Sequence, residues 1–435
     1  MNKYSVSAEE LERTAEQLKE ILSGYGIRYD KIESVPGPSV SLYKVFLSVG
    51  EKPSHIRSLE DDIAESIHRK GVRVVTHEDS AGIEIANESG ICVGMEGLLE
   101  SKAFRDSSAK LPIALGVSFG PIPKVIDLVD APHILVAGAT KQGKSVCLHS
   151  MVASLLHSKR PEELKMVFID PKGVEFQAYR NLSGPEKWET TVVTKAADAE
   201  NVLNGLCAEM DRRYDSSEKL PYIVCFVDEY ADLTVPFGNR EMKALSRRIL
   251  SDIIMLAQKG RGAGIHMVIS TQRPSADVIT GLIKANFPTR IAFRTSSRID
   301  SIAILDMPGA ERLIGNGDML LAAGTEMERL QGAHVSSDKT ERNVDASCEY
   351  ENPPKNMEVD VRFKEAVALV VITQNASVSE LQRKLGLGDV RANRIMNQLE
   401  AAGVVGPKED GRPREVLVKT MRDLDEVLQR IENEG

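Results

Sequence analysis

The chain has 435 residues, 42% of them hydrophobic, and a net charge of −9 from 55 Lys and Arg against 64 Asp and Glu. That length excludes one ordinary core and calls for two or three domains, while the acidic balance argues against a passive coat on nucleic acid. No apolar run approaches the ~18 residues that span a bilayer, the N-terminus is polar, and Cys92, Cys147, Cys207, Cys225 and Cys348 lack metal-ligand spacing. A cytoplasmic protein with reduced thiols, no zinc site and no membrane segment is expected.

In chain order, residues 7–24 predict an amphipathic helix with Ser7 as N-cap and Gly24 as terminator. Strand-like Val40–Val49, helix-like Ser58–Lys70 and strands Val72–Thr76 and Ile83–Ala86 complete a small α+β unit over 1–107. Residues 108–350 then alternate strands and helices around one decisive segment. Ile134–Ala137 reads as a buried strand, Gly138 to Ser145 as G-x-x-x-x-G-K-S, and Val146–Leu156 as an apolar helix. A phosphate-binding loop needs that order, because its backbone N–H groups must point at the phosphates from a helix N-terminus. Gly138, Ala139, Thr140, Lys141, Gln142, Gly143, Lys144, Ser145 and Val146 form the expected ATP-binding segment. Within it Lys144 reaches the β/γ-phosphates and the Ser145 hydroxyl ligates Mg²⁺.

Trp188 and the strand-like Thr190–Thr194 read as core filling. The apolar run from Tyr222 ends in Asp228 and Glu229. Such a pair suits ATP hydrolysis, Asp228 holding Mg²⁺ and Glu229 activating the attacking water. A third apolar run, Gly264–Thr271, ends at Gln272, which on its own reads equally well as a strand-end cap or a γ-phosphate contact. The strand–helix alternation makes the core α/β, a parallel sheet with helices on both faces.

Residues 351–359 read as a linker around Pro353-Pro354. Helices are expected at Phe363–Thr373, Ser377–Leu385 and Asp389–Ala402, followed by Val404–Val405 and Val416–Val418 around an Asp410-Gly411 turn. Three short helices and a hairpin over 360–435 match the winged helix-turn-helix plan, with Arg383, Lys384, Arg391 and Arg394 as candidate DNA-binding cations. A winged helix also serves as a protein–protein module.

The stretches Gln258–Ser275, Asp277–Phe293, Ile169–Lys172 and Asp300–Met319 resemble the motor of the FtsK/SpoIIIE family of double-stranded DNA translocases, over roughly residues 20–420. The resemblance implies a RecA-like P-loop ATPase core, an N-terminal α+β platform domain that links subunits, and a homo-hexameric ring that pumps double-stranded DNA in chromosome segregation. It also implies that Gln272 senses the γ-phosphate and that Arg261 reaches into the neighbouring subunit's site, where an arginine finger stabilises transferred charge. A ring motor needs positive charge only along its channel, and Lys284 and Arg290 are the candidates there. The resemblance also implies a membrane segment that commonly tethers family members to the division septum, and no run of these 435 residues is apolar enough to be one.

Two departures stand out. Lys141-Gln142 replaces the family's Gly-Ser in the phosphate loop. In the recognition helix Asp389, Val390 and Asn397 depart from the family pattern, so altered sequence preference is expected. Two other readings share parts of this constellation: a related ring ATPase that moves protein, and an ATP-gated DNA-binding regulator that does not translocate.

Overall fold

The computed structural model describes residues 6–76, 80–182, 188–216, 220–236, 238–324, 326–335, 363–373 and 376–385, with scattered core positions from Ala392 to Val418. They belong to two compact units, Met1–Tyr350 and Glu351–Gly435.

The first unit begins with α1 (Ala8–Gly24), whose Ser7 hydroxyl accepts from the Glu10 amide at 3.3 Å. Gly24 is not the terminator: Tyr25 caps the helix, and Gly26 makes the left-handed turn at φ +71°. The chain then forms β1 (Tyr29–Val35) and β2 (Val40–Leu47). β1 was not expected, because its Tyr-Asp-Lys-Ile-Glu-Ser-Val lacks an apolar alternation. The helix expected at 58–70 is two helices, α2 (Pro53–Ser58) and α3 (Glu60–Ile67), broken at Leu59. Pro53 starts α2 because a proline at the first helical position gives up no hydrogen bond. With β3 (Arg73–Thr76) and β4 (Ser80–Ala86) the strands form an antiparallel sheet ordered β1-β2-β4-β3. One face of it buries Val45, Val74, Ile83 and Ile85 against Leu18, Leu22, Ile56 and Ile63 of the helices.

Short α4 (Met95–Leu99) and α5 (Lys102–Arg105) lead into β5 (Pro112–Ser118), β6 (Ile122–Asp127) and β7 (His133–Ala137). There follow α6 (Lys144–Ser158), β8 (Leu164–Ile169), β9 (Thr190–Val193), α7 (Ala196–Ser216), β10 (Tyr222–Val227), α8 (Tyr230–Thr234) and α9 (Arg240–Lys259). The motor ends with β11 (Ile265–Thr271), α10 (Gly281–Asn286), β12 (Thr289–Phe293), α11 (Arg298–Leu305), β13 (Asp318–Ala323) and β14 (Glu326–Gly332). Ten strands make one sheet in the order β6-β5-β14-β13-β12-β7-β11-β10-β8-β9. From β12 to β9 every neighbour is parallel, as expected of an α/β core. From β12 back to β6 the pairing is antiparallel, an extension whose strands the sequence did not mark.

The parallel strands are apolar on both faces, which is why they read as continuous runs. Ile134 and Val136 of β7 join Leu148, Met151 and Val152 of α6 on one side. Leu135 and Ala137 join Leu203 and Met210 of α7 and Ile249 and Ile253 of α9 on the other. Each fully buried side chain of this kind contributes roughly 1.5–3 kcal/mol. Trp188 packs, half-buried, at the edge of the α6-side core.

The platform sheet turns its second face to the motor. Glu84 of β4 accepts from Arg329 of β14 at 2.9 Å and from Arg73 at 2.9 Å, while Arg329 also grips Asp318 of β13 at 2.7 and 3.0 Å. Burial opposes the charge, yet Asp318 and Glu84 hold the Arg329 guanidinium above its ordinary value.

In the second unit, α12 (Phe363–Thr373) and α13 (Val378–Leu385) share a core with Ile395, Met396, Leu399, Val404 and Val416. Val405 and Val416 form an antiparallel bridge where the wing was expected. The linker at 351–359, the Asp410-Gly411 turn, Arg391, Arg394, Asp389, Val390 and Asn397 lie outside the described residues. Among the described residues no helix is long and apolar enough to cross a membrane.

Candidate nucleotide site

The parallel strands all end on one edge of the sheet, and the chemistry-bearing residues gather there. β7 gives way to the loop 138–143, and α6 starts at Lys144 with Gly143 as its N-cap at φ +118° and no side chain capping its first turn. A Cβ on Gly143 would lie 2.9 Å from the Gly317 Cα, so only glycine lets the loop pass. The loop is tied to its surroundings by its backbone: the Ala139 amide donates to Arg294 O at 2.9 Å, and Gln142 O accepts from the Gly317 amide at 3.0 Å. Lys141 holds φ +62°, the left-handed region that favours glycine.

Lys144 is almost wholly buried, and its ammonium donates to Asp228 Oδ1 and, at 3.1 Å, to Ser270 Oγ. Ser270 in turn donates to Asp228 at 2.8 Å. Glu229 follows at φ +45°, its carboxylate accepting from Thr271 Oγ1 at 2.7 Å and from the Gln272 amide at 3.0 Å, with Lys172 Nζ at 3.6 Å. The Gln272 side chain accepts from Thr140 Oγ1 at 2.7 Å, which joins the third strand's end to the phosphate loop. Ser145 donates to Glu175 Oε1 at 2.8 Å. The His149 imidazole, with the Ser145 hydroxyl adding to it, holds the Glu175 carboxyl below its ordinary range.

The loop therefore brings together Lys144, Ser145, Asp228, Glu229 and Gln272, all expected from the sequence. Those residues fit a nucleotide triphosphate and its cation: a glycine-shaped loop, uncapped N–H groups of α6, a lysine, and oxygen donors from serine and aspartate suited to a hard divalent ion. Sequence reasoning gave no role to Glu175, Lys172, Ser270 or Thr271. Glu175 and Lys172 follow the apolar run Leu164–Ile169, which ends in an acid, Asp170, just as the Tyr222 run ends in Asp228; that parallel was the available signal.

The remaining candidates sit elsewhere. Arg261 lies in the short turn Gly260–Ala263 before β11, with Asp130 at 3.4 Å, at the edge where the strands begin. β11 runs parallel to β7, so Arg261 and the phosphate loop are separated by the strand's length, roughly 23 Å for seven residues. Lys284 and Arg290 both pair with Asp306, at 2.5 Å each, and Arg290 also donates to Ile304 O at 3.0 Å. Arg383 and Lys384 are exposed in the last turn of α13.

Comparison with known proteins adds a second line of evidence. The model described as the FtsK/SpoIIIE family matches residues 95–218 and 215–276. The FtsK alpha domain model matches residues 1–87, and the FtsK gamma domain model matches 357–419. DNA translocase FtsK of Listeria monocytogenes serovar 1/2a is 39% identical, the match covering 94% of this chain and 59% of that protein. DNA translocase SpoIIIE of Bacillus subtilis (strain 168) is 38% identical over 93% of this chain and 56% of that protein. The chain thus spans somewhat more than half the length of these curated relatives. Among solved structures, the conjugation coupling protein TcpA of pCW3 shares the fold, with a TM-score of 0.54 and 22% identity over 75% of this chain and 96% of that one.

Proposed function

The chain belongs to the FtsK/SpoIIIE family, and from that premise we propose that it hydrolyses ATP to drive double-stranded DNA through a homo-hexameric ring in chromosome segregation. The observation that carries this reading is the paired placement of Lys144 on Asp228 and of Glu229 against Gln272, at the edge where the phosphate loop lies. Bound ATP would draw Lys144 from Asp228 to its phosphate oxygens, and Asp228 and the Ser145 hydroxyl would hold Mg²⁺. That ion, when bound, offsets phosphate charge. Glu229, fixed by two donors, takes the proton of the attacking water. Gln272, hydrogen-bonded to Thr140 of the loop and to Glu229, is placed to report the γ-phosphate to both.

Arg261 lies across the sheet from its own site, which supports a finger supplied by the adjacent subunit. The winged-helix unit docks on DNA through Arg383 and Lys384, with Arg391 and Arg394 assigned there from the sequence. Lys284 and Arg290 belong to the channel in this reading, and the chain works in the cytoplasm.

The test is ATP turnover by the purified chain alone, with single-stranded DNA, and with long linear duplex. Strong stimulation by duplex only supports the translocase. Equal turnover in all three sinks duplex pumping by this chain and favours a protein-moving ring or a DNA-bound regulator. Lys144→Ala is expected to abolish nucleotide binding, whereas Glu229→Gln binds ATP without turning it over; steady-state hydrolysis by Glu229→Gln would remove the assigned base.

A further inference from the structure

Fully buried Asp170, just after β8, accepts from the amides of Gly173 and Glu175 at 2.9 Å and of Phe176 at 3.1 Å, so the loop is pinned by its own first residue. Its far side is a packed aromatic cluster, with Phe176 and Tyr179 ring centroids 5.0 and 4.9 Å from that of Phe168. Held this way, the loop delivers Glu175 to Ser145, 2.8 Å from hydroxyl to carboxylate. The other Glu175 oxygen lies 3.7 Å from His149 Nε2, and His149 Nδ1 is 2.7 Å from the buried Tyr179 hydroxyl. The carboxylate is therefore fixed from its own backbone and by a ring that is itself fixed.

We propose that Glu175 is a metal-positioning residue: it accepts the Ser145 proton, so that the hydroxyl oxygen presents only lone pairs to the divalent cation accompanying the nucleotide. This rests on the ATPase reading given above. A serine hydroxyl has one proton and two acceptor pairs, and which of them faces a cation depends on where the proton goes. Asp228 does not receive it, since its Oδ1 accepts from Ser270 and no hydrogen bond joins Asp228 to Ser145 among the described residues. Glu175 does. It also adds charge where a cation gains from it, since Glu175 has no lysine or arginine ion pair among the described residues. Partners of this kind fix a ligand's orientation, and their loss typically costs 10–100-fold in metal affinity.

The test uses Mn²⁺, followed by electron paramagnetic resonance, with the purified chain and ATPγS; nucleotide affinity is measured separately in EDTA with a fluorescent ATP analogue. Glu175→Ala is expected to leave the affinity in EDTA within about twofold and to weaken Mn²⁺ in the nucleotide complex by about 10–100-fold. The near-isosteric Glu175→Gln, which keeps an acceptor oxygen and the loop's volume but not the charge, should fall between wild type and Glu175→Ala, and it carries the test where alanine disturbs the fold. Unchanged Mn²⁺ affinity in both variants overturns the role. So does a parallel loss in EDTA, which would mean that Glu175 merely props the loop. Wild-type chain that binds neither nucleotide nor Mn²⁺ overturns the ATPase reading together with this one, whereas normal wild-type binding with insensitive variants overturns this one alone.

Discussion

Lys141 sits in a backbone region where a side chain costs roughly 1–2 kcal/mol. Lys141→Gly should therefore stabilise the chain by roughly 0.5–1 kcal/mol after glycine's own entropic cost, measured by urea unfolding. A loss instead would show that the lysine side chain holds the loop. The two buried histidines at the opposite sheet edge give a pH prediction. His133 Nδ1 accepts the Met267 amide and His266 Nδ1 faces Pro132 O, both at 3.2 Å, and the two Nε2 atoms are buried without hydrogen-bond partners among the described residues. Burial pulls His133 down from 6.5 to about 3 and His266 to about 4. The unfolded chain takes up these protons below 6.5 while the folded chain refuses them until near 4, so stability is complete above 6.5 and lost as pH falls. The slope is about 1.4 kcal/mol per pH unit for each ring, and His266→Gln should flatten it by that amount in denaturant melts between pH 6 and 4.5. At this scale the sequence shows a residue's type but not its partner. Lys144 and Glu229 are legible because motif spacing encodes them. Glu175 is not, because its role depends on Ser145, a residue brought to it by two different strand ends.

The strands and helices tell a similar story at the next scale. β7, β10 and β11 were legible since both their faces are buried, which leaves uninterrupted apolar runs. β1 has only exposed and half-buried positions with no alternation, and β14 carries Glu326, Glu328 and Arg329, so neither displays a stripe that a pattern could catch. Yet β14 is where the platform is fastened. Arg329 lies buried between Asp318 and Glu84, Arg312 reaches Asp61 at 2.5 Å, and Arg73 contacts the Met327 sulfur at 3.4 Å. Removing one member of a buried ion network strands the others, at about 3–5 kcal/mol. Arg329→Met is expected to cost that much in chemical denaturation, and to loosen the platform and motor together rather than the platform alone. Separate transitions for platform and motor in wild type would contradict the single compact unit that those two form.

At the scale of the whole molecule, the distance between Arg261 and its own phosphate loop makes subunit mixing informative. Arg261→Ala keeps an intact site without a finger to give, and Glu229→Gln keeps the finger without a base. Each alone should be nearly inactive, and their mixture should regain a measurable fraction of wild-type turnover. No recovery would overturn the assignment of Arg261 as a finger given to the neighbouring site. A different consequence follows from the Asp306 clamp on Lys284 and Arg290. A surface cation normally carries condensed salt ions from the DNA's atmosphere into solution when it meets a phosphate, and each contributes about 0.9 to the slope of log K against log salt concentration. A carboxylate shared by two cations offsets one of their charges, so the pair trades one anion for another and liberates the ions of a single charge. Duplex affinity should thus be less sensitive to salt than the count of basic residues suggests, and because one carboxylate offsets one of the two charges, Asp306→Asn should steepen the slope by about 0.9.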